Sequence, residues 1–277
     1  MRQHPILHVA LFVVTFFTML GAGALQQGID LLEEPFRIFE GFAFAGTLMC
    51  ILLIHEFSHY IASRKHRVRA TLPYFIPAPT FLGTFGAFIR MEPIDTRKAL
   101  VDIGASGPIA GFIVSVIACL VGLKMSAVVP VTKAAGTLII GDSLLFSFLS
   151  FVTLGITPEN ADVLLHPIAF AGWIGLFVTT LNLIPVGQLD GGHVAYAFLG
   201  EKHKILSLVI VAMLGIIGVF FWEGWAFWAV LLIILKIKHP PVLYWEQPLD
   251  RQRRLTGLIS LIIFIVTFVP SPFTITM

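Results

Sequence analysis

Residues 41–59 read GFAFAGTLMCILLIHEFSH, and two patterns overlap in them. The first is a stretch from Gly41 to Ile54 with no charged side chain, entered from Glu40. A helix rises about 1.5 Å per residue, which puts His55 roughly 22 Å along the axis from Glu40, well inside an apolar bilayer core of about 30 Å. The second pattern is His55-Glu56-Phe57-Ser58-His59. Residues at i and i+4 share one helix face, so both imidazoles can reach a single tetrahedral cation, with Glu56 beside them to take a proton from water on the metal. An ionisable triplet at this depth is expensive unless it lines a polar cavity or binds something. An inward-facing polar patch that pairs with neighbouring helices is the blander reading, and zinc-site spacing is an odd way to build it.

Composition agrees with the depth argument. Of 277 residues, 57% are hydrophobic and 12% charged, with mean hydropathy +0.92. Soluble domains sit nearer 45–50% and about 25%. The expected architecture is an all-α polytopic membrane protein with about seven transmembrane helices: Ile6–Leu25, Ile38–Ser63, Val101–Leu123, His166–Pro185, Ile205–Phe221, Gly224–Leu235 and Leu255–Val269. The apolar stretch Thr137–Gly155 carries Asp142 and scattered Ser and Gly, and is expected to be interfacial or re-entrant. Gly-Ala-Gly-Ala at 21–24 mimics a signal cleavage site, but the preceding apolar run is longer than a signal core, so a retained anchor is expected. Cys50 and Cys119 are too few for a disulfide framework and read as small buried hydrophobes. A net charge of +2 gives no case for nucleic acid as a partner. The lipid bilayer is the expected partner.

Charge placement orients the chain. Of 18 Lys and Arg, all but Arg37, Lys124 and Lys133 fall at the N-terminus or in the loops after the second, fourth and sixth spans. By the positive-inside rule those loops are cytoplasmic. Seven alternating spans satisfy the pattern; an eighth at 137–155 would spoil it. With no internal repeat and no soluble segment longer than about 45 residues, one membrane-embedded domain covering 1–277 is expected, and a transporter of repeated halves is not.

A metal face of two histidines needs a third ligand that leaves one position for water. The candidate is Asp190, in Asn182-Leu-Ile-Pro-Val-Gly-Gln-Leu-Asp190-Gly191-Gly192. It ends the fourth span on the same side as His59. Pro185 and Gly187 break the helix, and Gly191-Gly192 allow a sharp turn. The alternative is a loop-end Asp that caps the following helix. His193, three residues on, is a weaker alternative ligand or a partner of the ligand shell. His66, His203 and His239 accompany basic loops and call for no special role. His166 begins the fourth span on the far side, and Trp222, Trp225 and Trp228 suit an interfacial belt.

Taken together, HEFSH in one span, Gly107-Pro-Ile-Ala-Gly111 in the next and Asn182…Leu189-Asp190-Gly191 in the one after resemble the site-2 protease family. The likeness runs over about residues 38–200. It implies a three-helix catalytic core, one zinc ion held by His55, His59 and Asp190, Glu56 as general base, and Asn182 binding substrate or its developing oxyanion. It implies cleavage of transmembrane protein substrates in or near the membrane. The lack of a PDZ-like insert points to the subgroup without one. A bacterial inner membrane with the site toward the cytoplasm is the expected location, with an organelle membrane as the alternative. Nothing in the sequence specifies an oligomeric state.

Small residues at 104, 106, 107, 110 and 111 suit close helix packing. Thr71–Arg90 holds three prolines and two glycines among aromatics, which reads as a small membrane-associated β-element or as an interfacial loop. A strand edge there can pair with an unwound substrate. Two other classes compete with the protease. A metal transporter would not need Glu56 between the histidines, and a catalytically silent membrane-protein scaffold would not need the whole ligand set. A prenyl-protein endopeptidase shares HExxH but is disfavoured by Asp190-Gly191.

Overall fold

The computed structural model describes residues 4–129, 138–155, 162–235 and 237–275. Arg2, Lys133 and Lys236 of the charge pattern, and Thr137 at the edge of the 137–155 stretch, lie outside the described residues. The chain is mostly helical: α1 (Pro5–Gln26), α2 (Phe42–Lys65), α3 (Arg97–Lys124), α4 (Leu144–Leu154), α5 (Pro167–Leu183), α6 (Asp190–Leu199), α7 (His203–Phe220), α8 (Glu223–Ile234) and α9 (Arg251–Thr267). Among the described residues, four helical stretches are long and apolar enough to cross a membrane: Pro5–Gln26, Pro35–Lys65, Arg97–Lys124 and Asp190–Phe220. Each of the seven expected spans falls on a helix, though the second begins as a tight 3-10 turn, Pro35–Gly41, before α2. The 137–155 stretch holds a short strand, Leu138–Ile140, and α4. An 11-residue helix is about 16 Å long, half an apolar core.

The chain divides into two compact units. The first comprises Met1–Pro93, Ala110–Val128 and Val163–Leu176. Here α1 and the entry to α2 meet backbone to backbone: a Cβ on Gly41 would lie 2.1 Å from the Leu20 carbonyl oxygen, so only glycine permits the approach. Phe44 of α2 is fully buried and stacks on Phe170. After α2, strands β1 (Tyr74–Pro77) and β2 (Thr84–Phe88) form an antiparallel hairpin, with Tyr74 opposite Phe88 and a bulge between Phe75 and Pro77. The β-element expected at 71–90 is therefore present. Polar groups of α1 hold it: His8 Nδ1 donates to the Pro73 carbonyl at 3.0 Å, and Thr18 Oγ1 donates to the Gly83 carbonyl at 2.6 Å.

The second unit comprises Ile94–Ile109, Val129–Asp162 and Phe177–Met277. The N-terminal part of α3 packs with α6 and with the α8–α9 loop in a cluster that includes Leu100, Val101, Tyr196, Ala197, Val242 and Leu249. Arg253 at the start of α9 reaches Asp102 of α3 at 2.5 Å. Thr180 of α5 donates to Thr267 of α9 at 2.8 Å, both hydroxyls buried. One member of the expected interfacial belt is a core residue: Trp225 is fully buried and donates its indole N–H to the Pro270 carbonyl. At the C-terminal end, the Leu138–Ile140 strand pairs antiparallel with a strand at Phe273–Ile275.

Candidate metal centre

In the first unit, α2 carries His55, Glu56 and His59, all buried, at 4%, 6% and 4% exposure. The hydroxyls along this helix turn back onto it. Thr47 donates to the Ala43 carbonyl, Ser58 to Ile54 and Ser63 to His59. Those side chains are satisfied locally, as an apolar medium requires. Arg64 and Lys65 close the helix at its negative dipole end.

His55 and His59 turn their Nε2 atoms toward each other at 3.1 Å. Zinc–nitrogen bonds of 2.0–2.1 Å at a tetrahedral angle set two nitrogen ligands roughly 3.3 Å apart. The pair thus already has about the separation that one zinc ion imposes, and its chemistry, two buried imidazoles beside a carboxylate, fits that ion. Gly111 of α3 leaves the room: a Cβ there would stand 3.1 Å from His55 Nδ1. The Gly-Pro-Ile-Ala-Gly segment, read from sequence as packing alone, therefore also shapes the wall against a ligand-type imidazole.

In the second unit, Asn182 is the penultimate residue of α5 and half-buried. Residues 184–189 break from the helix, and Asp190 is the first residue of α6, half-buried. The N-cap position is Leu189, with extended backbone and no capping bond from its own side chain, and Asp190 follows as the first helical residue. The turn is possible because of the two glycines that follow. A Cβ on Gly191 would lie 2.0 Å from the Leu183 carbonyl oxygen, and one on Gly192 2.6 Å from the Gly187 and Val186 carbonyl oxygens.

Two histidines set aside in the sequence are buried in this unit: His203 at 1% and His239 at 4% exposure. His239 hydrogen-bonds His193 and stacks on Tyr196. Their neighbours in basic loops had called for no special role. No local pattern links positions so far apart in sequence.

A membrane-type helical chain with a buried HExxH face belongs to the class of membrane-embedded metallopeptidases. The model of peptidase family M50 matches residues 43–222, well over half of the chain, and the protein belongs to that family, the site-2 proteases. Zinc is the cofactor of this class. Among curated relatives, the probable zinc metalloprotease EGY1, chloroplastic, of rice (Oryza sativa subsp. japonica) is 31% identical over 93% of this chain and 45% of its own length. Its Arabidopsis thaliana counterpart is 34% identical over 79% of this chain and 41% of its own. The Arabidopsis protein named EGY2 is 29% identical over 82% and 41%. The chain thus spans less than half the length of these relatives. All three are chloroplastic by name, which gives no support to the bacterial inner membrane expected from the sequence. The apolar helices support membrane association. No PDZ-like module occurs among the described residues.

Proposed function

We propose that the protein is a zinc metalloendopeptidase that hydrolyses peptide bonds of membrane-spanning proteins within or near the bilayer. The observation that carries this reading is the buried His55–His59 pair, with Nε2 atoms 3.1 Å apart and Glu56 beside it on the same helix. Asp190 is the third ligand. A carboxylate at the start of a tightly folded turn suits the role.

When bound, zinc acidifies a coordinated water and polarises the scissile carbonyl. Glu56 accepts the water proton as the oxygen attacks and passes it to the leaving amine. Asn182 donates to the substrate carbonyl as its oxygen becomes negative, an interaction of about 3 kcal/mol by comparison with other oxyanion donors. Burial of α2's polar face keeps bulk water from competing. A helical substrate hides its carbonyls in hydrogen bonds, so it must unwind before attack, and the β1–β2 hairpin offers a strand edge for the extended segment.

In the membrane, α1, α2, α3, α5, α7, α8 and α9 are the seven spans of one domain covering 1–277, with α2, α3 and α5 as the catalytic core over about 38–200 and α4 interfacial. The basic loops mark the cytoplasm-equivalent side, toward which the site faces. Metal content per purified chain, by elemental mass spectrometry, tests the ligand set. About one zinc in the wild type, lost or much weakened in Asp190→Ala, is the expected result. Full zinc in the variant removes Asp190 from the set, and a metal-free wild type removes the enzyme reading in favour of a scaffold.

A further inference from the structure

The loop between α8 and α9 reaches back onto α6, the helix that opens with Asp190. His239 on this loop lies flat on Tyr196 of α6, ring centroids 4.2 Å apart and planes 13° from parallel. Its Nδ1 is 2.6 Å from the Pro240 carbonyl oxygen. A carbonyl only accepts, so Nδ1 carries the proton. Burial also pushes the His239 pKa below the usual imidazole value. The ring is therefore neutral, and its Nε2 is an acceptor. His193 Nδ1, 2.7 Å away, is the donor. A directed relay results, from His193 N–H to His239 and from His239 N–H to the Pro240 carbonyl.

His193 stands three residues after Asp190, nearly one helical turn, and so on the same face of α6. The N-cap residue of this helix, Leu189, gives it no side-chain cap. It is pressed against α3 so closely that a Cβ on Gly104 would lie 2.9 Å from the Asp190 carbonyl oxygen and 3.0 Å from His193 Cβ. That contact limits how near the turn comes to α3. The histidine relay limits how it rotates.

We propose that His239 is a positioning residue for the Asp190 carboxylate: by accepting the His193 N–H it fixes the rotation of the first turn of α6, and with it the aim of the third zinc ligand. This rests on Asp190 being a ligand. Hydrogen bonds behind a metal's ligands commonly govern affinity by 10–100-fold, and here the support comes from a loop that contributes no ligand.

The test measures the zinc dissociation constant of the full chain in detergent by competition with a chromogenic chelator, alongside the melting temperature of the zinc-free protein. His239→Ala and His239→Asn remove the acceptor; His239→Gln restores one near the position of Nε2. The first two should weaken zinc binding about 10–100-fold while the zinc-free melting temperature stays near that of the wild type, and His239→Gln should recover most of the affinity. Asp190→Ala should lose more, with no further loss on adding His239→Ala. Wild-type affinity in His239→Ala and His239→Asn, with zinc lost in Asp190→Ala, overturns the positioning role alone. Wild-type affinity in Asp190→Ala overturns the ligand assignment beneath it. If His239→Ala does not fold, the Asn and Gln variants carry the comparison, and equal affinity in those two overturns the proposal.

Discussion

Helix α2 and the α5–α6 turn each carry candidate functional groups, and they are built in opposite ways. The α2 face is one uninterrupted helix, where the 3.6-residue repeat alone puts His55 and His59 side by side and every backbone group behind them is satisfied within the helix. The turn from Leu183 to Gly192 is irregular backbone, folded so tightly that Gly191 sits against the Leu183 carbonyl. Its shape depends on distant parts of the chain: Gly104 on α3 and His239 on the α8–α9 loop. One region is specified locally and tolerates change around it; the other is specified by contacts from elsewhere and does not.

The comparison breaks most sharply at the chemistry itself. Glu56→Gln leaves the α2 fold and the two imidazoles in place, so zinc content should remain at wild-type level while cleavage of a membrane-spanning reporter falls about 10²–10⁴-fold. Parallel loss of zinc would show that Glu56 serves structure or ligation. A methyl group at the turn should have the next largest effect. Gly191→Ala meets a backbone oxygen that cannot move aside, and should lower stability by about 3 kcal/mol or more, read as an early-melting, zinc-poor protein in detergent. A normal melt would mean the turn relaxes more easily than its packing allows.

Gly111→Ala lies between these extremes. Its new Cβ approaches His55 Nδ1 rather than backbone, and should weaken zinc binding by about 1 kcal/mol, a five- to tenfold change in dissociation constant, with little change in melting. The smallest effect belongs to Gly46→Ala on α2, where the added Cβ meets only the Phe42 ring, at 3.5 Å. Stability there should stay within about 0.5 kcal/mol of wild type or rise slightly, since alanine favours the helix. A large loss at Gly46 would erase the contrast between the two regions.

The same contrast explains what the sequence made legible. Helix positions followed from hydropathy because a span needs a long apolar run, and the histidine pair followed from a four-residue spacing. The hairpin at 71–90 showed itself through proline and glycine punctuation among aromatics. Asp190 could be singled out by the Pro-Gly break before it and the Gly-Gly after it, although its place as the first residue of α6, not its cap, needed coordinates. The His193–His239–Tyr196 cluster was not legible. His193 and His239 lie on separate elements, and the basic residues around His239 gave it no special role, whereas the ring is buried and stacked on Tyr196. Trp225 failed in the same way, since its indole finds a carbonyl partner 45 residues downstream.

The backbone contact between α1 and the entry to α2, made at Gly41, has a consequence in time. The residues in that contact all belong to the first two spans, so it can form while the rest of the chain is still being made. Asp190 follows His59 by 131 residues, an interval of roughly 7–26 s at ordinary elongation rates of 5–20 residues per second. Until then the nascent chain carries His55 and His59 without the carboxylate proposed as their third partner. On the proposed ligand set, zinc loading follows completion of that turn, and His239, proposed to fix its aim, is translated later still.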